Sequence, residues 1–345
     1  MVERLIMQAD AATRMLQDMC RIRVFEDVCA EQYSKGAIGG FMHLYSGEEA
    51  VAVGVAQGLQ SHDVVVSTYR DHGHALACGI APSSILAEMF GYVEGCSKGR
   101  GGSMHLFDVS RRFYGGNAIV ASHIPMAVGM ALAAQRRNED HIVCCYLGDG
   151  AAAEGAFAES LNLAALWNVP VVFVCENNMY AMGTALHVSH AQPDIAQKGT
   201  AYGVESMSVD GMDLVAVVDA MRHVQAVVRT ARRPFLLVCN TYRFRPHSMF
   251  DAEHYRTKAE VMQWRQRDPI TLFSNWAVGC GLMNEEDVHR ASTLAEDEMR
   301  EALLAAAAGS YESVEDLERH TYAEGHQHDP SSNDELSKGI ASSAA

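Results

Sequence analysis

The chain has 345 residues, of which 48% are hydrophobic, and a formal net charge of −16. That apolar content suffices for a sizeable core, while the acidity argues against a nucleic-acid partner, which needs a basic face. No apolar run reaches membrane-spanning length and the first residues lack the pattern of a signal peptide or a basic presequence, so no membrane association is expected and a cytoplasmic protein is. The nine cysteines fall at no metal-ligand spacing. Cys144, Cys145 and Cys175 lie in apolar runs and read as buried free thiols of a reducing compartment.

In chain order, Leu5, Met15, Leu16, Met19, Ile22, Phe25 and Val28 recur at helical spacing and predict a helix from Glu3 to Lys35, closed by Gly36. Phe41 to Ala50 then leads into a small-residue helix through Val51 and Val55, expected to pack closely on a neighbour. Val64 to Thr68 predicts a strand delivering Tyr69, Arg70, Asp71 and His72. A helix over Ser84 to Phe90 precedes the glycine-rich stretch Gly95 to Gly102, which lacks the Gly-Lys-Ser/Thr ending of a nucleotide loop. Pro125 to Ala134 predicts a small-residue helix, suited to a subunit interface or a core.

The most informative stretch follows. The apolar run Ile142 to Leu147 predicts a strand, Gly148-Asp149-Gly150 a tight turn, Ala156 to Val169 a helix, and Pro170 a second turn into a strand ending at Asn177-Asn178. Such a βαβ unit has parallel strands and a right-handed crossover, and open α/β sheets place their chemistry at the carboxyl ends of the strands. The turn glycines let backbone N–H groups approach a phosphate, and the following helix is expected to aim its N-terminus at the same anion. Asp149 offers a carboxylate and Asn178 an amide oxygen, both suited to Mg²⁺, whose octahedron phosphate oxygens and water complete.

Farther on, Asp213 opens a helix over Leu214 to Arg229, Pro234 to Cys239 predicts a strand, and Asn284 with Asp287 caps a last helix bearing Val288, Ala295, Met299 and Leu303. The predicted fold is α/β: a doubly wound, mostly parallel sheet with helices on both faces. One domain is expected over residues 1–325, with an N-terminal helical extension, and a polar, disordered tail over 326–345.

The stretch GDGAAAEGAFAESLNLAALWNVPVVFVCENNMYAMGT resembles the thiamine-diphosphate motif of the α subunits of 2-oxo acid dehydrogenase E1 components, with pyruvate and acetoin dehydrogenases the nearest in pattern. The resemblance covers about residues 15 to 325. It implies thiamine diphosphate and Mg²⁺ as cofactors. Asp149, Asn178 and the carbonyl of Tyr180 would hold the metal. Tyr69, Arg70, Gly150 and Ala151 would hold the diphosphate, the backbone of Ala118 and Val120 would touch the pyrimidine, and Met182 would prop the bent cofactor. His43 and His72 would face the substrate channel. His247, in Tyr242-Arg243-Phe244-Arg245-Pro246-His247-Ser248, would stabilise the diphosphate or exchange a proton with the substrate. The family pattern has glycine where this chain has Pro246, which predicts a stiffer loop.

The implied reaction is oxidative decarboxylation of a small 2-oxo acid and transfer of the acyl group to the lipoyl arm of a partner E2. The chain matches only the half that holds diphosphate and metal. A β subunit should therefore supply the glutamate for the aminopyrimidine ring in an α2β2 assembly, and the single chain should be inactive. Pyruvate leads among the substrates, on Tyr69 and the Phe113 to Gly116 block. Acetoin is second, on His72-Gly73-His74 and Ser160 to Leu163, and branched 2-oxo acids are third. The competing reading is a non-catalytic structural or regulatory paralogue.

Overall fold

The computed structural model describes residues 7–319 and 321. Contacts divide the chain into a large unit running to Ser310 and a small one from Tyr311. Residues 1–6 and the expected tail over 326–345 lie outside the described residues.

In the large unit five strands form one parallel sheet: β1 (Val64–Val66), β2 (Val143–Gly148), β3 (Val171–Asn177), β6 (Glu205–Asp210) and β7 (Phe235–Asn240), in the spatial order β1-β2-β3-β7-β6. A separate antiparallel hairpin, β4 (Tyr180–Ala181) and β5 (Thr184–Ala185), follows β3 directly. The helices are α1 (Ala9–Ser34), α2 (Glu49–Ala56), α3 (His72–Ala77), α4 (Pro82–Phe90), α5 (His123–Arg136), α6 (Gly155–Trp167), α7 (Leu186–Ser189), α8 (Ile195–Ala201), α9 (Leu214–Ala231), α10 (Lys258–Arg265), α11 (Pro269–Gly279) and α12 (Glu285–Ala307).

Strands β1, β2, β3 and β7 are buried on both faces, and their period of two divides the core. Cys144, Tyr146, Val172, Val174, Leu237 and Cys239 join one apolar cluster with α1, α2, α9 and α12. Val143, Cys145, Leu147, Val171, Phe173, Cys175, Leu236 and Val238 join the other with α5 and α6. The sheet is thus doubly wound, and continuous apolar runs are the signature of such strands. The small-residue helix α2 does pack closely: a Cβ on Gly54 would come within 2.7 Å of Val217 on α9. Asn284 and Asp287 form a reciprocal capping box at the start of α12.

Three expectations shift. The first described helix begins at Ala9, not Glu3, and of the residues before it only Met7 and Gln8 are described. The Gly148-Asp149-Gly150 turn does not run straight into α6. A 3₁₀ turn, Ala151–Ala153, intervenes, and Glu154 breaks it with extended backbone (ψ 147°), so the segment next to the turn is a 3₁₀ turn rather than the α6 N-terminus. The edge strand β6, the hairpin and α8 carry no clear sequence signal. Among the described residues no helix is long and apolar enough to cross a membrane.

Candidate active site

One cavity of about 530 Å³ opens at the carboxyl ends of β1, β2, β3 and β7. β1 contributes Thr68, Tyr69 and Arg70; β2 contributes Gly148 to Ala151; β3 and the hairpin contribute Asn178, Tyr180, Ala181 and Met182; the segment after β7 contributes Arg243 and His247. His43, Ala118 and Val120 enter from loops. Every expected site residue except His72 therefore borders this cavity.

At the position expected to take the metal, Asp149 is 2% exposed and Asn178 7%. Asp149 Oδ2 and Asn178 Oδ1 are buried and have no hydrogen-bond partner. Two such oxygens cost free energy unless something meets them, and a hard cation is what a carboxylate and an amide oxygen suit. Burial pushes the Asp149 carboxyl up to about 6, against backbone N–H groups and Arg243, which favour its charged form. The Tyr180 carbonyl accepts from Arg243 Nη1 at 3.3 Å, and Arg243 Nη2 holds the Met182 carbonyl at the same distance. Met179 and Met182 take positive φ (76° and 54°), which bends the chain back after Asn178 and brings Tyr180 to the cavity. A Cβ on Gly150 would stand 2.7 Å from Ala181, so glycine lets the turn and the hairpin touch.

Arg70 is 6% exposed. It donates through Nη1 to the Leu44 carbonyl (2.6 Å) and through Nη2 to the His247 carbonyl (3.0 Å), and its Nε lies 3.9 Å from Glu48 Oε2. The guanidinium is thereby fixed on the cavity wall and ties β1 to the segment after β7. That segment is braced in turn. Arg256 donates to the Arg243 carbonyl (2.6 Å) and the Arg245 carbonyl (2.7 Å), and the His247 N–H donates to Asp251 Oδ2 (2.8 Å). These contacts flank Pro246 on both sides.

The His43 and His247 rings meet edge to face with centroids 4.9 Å apart, and Tyr69 packs on His43 at 4.5 Å. Each Nδ1 is buried without a partner. Burial, reinforced by the Arg70 charge, pushes His43 down to about 2 and His247 to about 3, so both are neutral near pH 7. A neutral imidazole has one donor and one acceptor to offer a carbonyl or carboxylate in the cavity.

His72 lies elsewhere. It is fully buried at the start of α3, with Nδ1 3.0 Å from Glu26 Oε2 and Nε2 2.8 Å from Ser103 Oγ. Burial lowers its pKa, but Glu26, Asp71 and Ser103 outweigh that and hold it above the usual histidine value. His74 is also buried, between Ser67 and Glu176 at 2.8 Å each. The glycine-rich stretch after α4 is equally self-contained. Glu88 accepts from the N–H groups of Ser97, Gly99, Gly101 and Gly102 at 2.7–3.2 Å, so the loop closes on its own carboxylate.

Sequence reasoning passed over Arg243, Glu176 and Glu154, which line the cavity, and Glu48 behind it. Arg243 sits one residue after Tyr242 in a stretch already singled out. Two adjacent glutamates at the head of an otherwise apolar helix were the available signal for Glu48.

The model of the dehydrogenase E1 component family matches residues 17–315. A protein of Rickettsia bellii (strain RML369-C), named pyruvate dehydrogenase E1 component subunit alpha, is 40% identical over 290 residues, covering 84% of this chain and 89% of that one. Proteins of the same name from Rhizobium meliloti (strain 1021) and Porphyra purpurea are 45% identical over 255 residues and 38% identical over 317. They cover 74% and 90% of this chain, and 73% and 92% of their own lengths.

Proposed function

The chain belongs to the dehydrogenase E1 component family, and on that premise we propose that it is the α subunit of a thiamine-diphosphate-dependent 2-oxo acid dehydrogenase whose substrate is pyruvate. The observation that carries the reading is the pair of buried, unpartnered oxygens, Asp149 Oδ2 and Asn178 Oδ1, on neighbouring strand ends of a cavity that also holds Arg70 and two neutral histidines.

Asp149, Asn178 and the Tyr180 carbonyl hold Mg²⁺. Arg70, Tyr69 and the turn at Gly150 and Ala151 receive the diphosphate. Ala118, Val120 and Met182 border the organic rings. Bound thiamine diphosphate supplies the carbanion chemistry of decarboxylation. The chain's own share is to seat the cofactor, keep water from its reacting end, and offer histidine nitrogens to the substrate. With both rings neutral, His43 and His247 orient the carboxylate and carbonyl by N–H donation, and the free Nδ1 of either ring can take a proton.

Ile119, Val120 and Met182 are exposed apolar side chains, and Val120 and Met182 border the cavity. An apolar rim of this kind fits a β subunit that closes the site and brings the aminopyrimidine glutamate, in an α2β2 assembly that passes its acyl group to a lipoyl-bearing E2. The sequence support for acetoin rested on His72-Gly73-His74 and on Ser160 to Leu163; none of these residues lines the cavity, and His72 and His74 are engaged elsewhere. The relatives named for pyruvate point the same way.

The test is dye-coupled oxidation by the chain co-expressed with its β partner, supplied with thiamine diphosphate and Mg²⁺. Turnover of pyruvate by the pair, none by the single chain, and loss on chelation are expected. Preference for acetoin, or full activity of the single chain, would sink the reading.

A further inference from the structure

Glu48 and Glu49 are adjacent, both fully buried, and differently employed. Glu49 is satisfied: Arg23 Nε donates to it at 2.6 Å and the Gly47 N–H at 3.0 Å. Glu48 is not. Its Oε1 accepts from Asn178 Nδ2 at 3.2 Å, while Oε2 faces Arg70 Nε at 3.9 Å and has no hydrogen-bond partner. A buried carboxylate left half satisfied costs stability, and such costs collect at functional sites. Its two neighbours are the amide expected to ligate the metal and the guanidinium expected to meet the diphosphate.

An asparagine amide can present either its oxygen or its NH₂ by a half-turn about its last bond. Only the oxygen can ligate a cation. Glu48 Oε1 accepts from the NH₂ edge, and Asn178 Oδ1 is left turned away from it without a partner. In its ionised form the same group offsets part of the Arg70 charge. We propose that Glu48 is a positioning residue: it fixes the Asn178 amide with its oxygen toward the metal and restrains the anion affinity of Arg70. The proposal rests on the magnesium–diphosphate reading of the cavity.

The two effects have opposite signs, which separates this role from a merely structural one. Glu48→Met removes the acceptor at similar length, and taking away a buried polar carboxyl relieves its desolvation cost. Glu48→Gln restores an acceptor oxygen without the charge. In the complex with the β partner, Mn²⁺ affinity is read by electron paramagnetic resonance with saturating thiamine diphosphate. Pyrophosphate affinity is read calorimetrically in the presence of chelator.

Glu48→Met should weaken Mn²⁺ roughly 10–100-fold, the usual cost of losing an outer-shell partner. Pyrophosphate should bind as well or more tightly. Glu48→Gln should keep Mn²⁺ within about threefold of the parent, because one hydrogen bond is preserved, and should also bind pyrophosphate at least as well. Unchanged Mn²⁺ affinity in Glu48→Met, or parallel loss of both ligands in either variant, overturns the proposal. If the parent complex binds neither Mn²⁺ with thiamine diphosphate nor pyrophosphate, the cofactor reading falls and takes the proposal with it. A parent that binds both while Glu48→Met binds both equally well leaves the cofactor reading standing and removes Glu48 alone.

Discussion

Two pairs of histidines lie near the sheet's carboxyl end, and they are built in opposite ways. His72 and His74 are buried with both ring nitrogens engaged: the first between Glu26 and Ser103, the second between Ser67 and Glu176. His43 and His247 are nearly as buried, at 5% and 9% exposed, yet each keeps an unpartnered Nδ1. The first pair joins elements together; the second faces a cavity. Burial alone does not tell a histidine that joins elements from one left free to meet a ligand. What separates them is whether the ring's hydrogen-bonding capacity is already used inside the chain.

The largest expected effect sharpens this contrast. His247→Ala in the complex should lower kcat/KM for pyruvate by about 10²–10⁴, the range for a residue that assists proton transfer. Its unfolding midpoint in urea should barely move, because the ring has few partners to lose. His72→Ala should behave in reverse. It strips Glu26 of its imidazole partner and leaves a buried carboxylate held only by the Tyr45 N–H, a change that costs about 3–5 kcal/mol, while turnover per folded molecule stays within about tenfold of the parent. Steady-state kinetics and urea titration of both variants decide the matter. A His72→Ala protein of normal stability with turnover as damaged as that of His247→Ala would break the comparison.

The smallest effect is in pH. The folded pKa values of His43 and His247 are depressed, to about 2 and about 3. Below about pH 6.5 the unfolded chain takes up protons that these folded rings refuse. Each ring therefore costs about 1.4 kcal/mol per pH unit as pH falls well below that point toward its folded value. His72 has the opposite sign, because its folded pKa is raised. Its contribution is present below the unfolded value and is lost as pH rises through the folded one. Replacing His43 and His247 by Gln should flatten the acid limb of stability against pH, measured by thermal unfolding in the absence of cofactor. No change in that limb would mean that the two rings are not held neutral.

Much of the scaffold was legible because it depends on short-range rules. Apolar runs bounded by Gly148-Asp149-Gly150 and Pro170 announced β2, α6 and β3, and Asn284 with Asp287 announced the start of α12. The edge strand β6, Glu205–Asp210, was not legible. Its residues are half exposed and polar, so nothing in Glu-Ser-Met-Ser-Val-Asp distinguishes it from a loop until β7 pairs with it. Hairpin β4–β5 has two residues per strand and depends on the positive φ at Met179 and Met182, which sequence patterns do not disclose.

The sequence by itself determined the parallel, two-faced sheet, because alternation and turn chemistry act between near neighbours along the chain. It also placed Asp149 and Asn178 at adjacent strand ends, since one βαβ unit carries both. Only the tertiary structure decided which way His72 turns, what closes the loop at Glu88, and that Arg70 after β1 and Arg243 after β7 are brought close to Glu48, the residue just before α2. Several of those contacts join residues far apart in the chain, 46 positions for His72 and Glu26 and 130 for Glu48 and Asn178. Hydrogen-bond satisfaction at that range is a property of the packed molecule, and no local pattern encodes it.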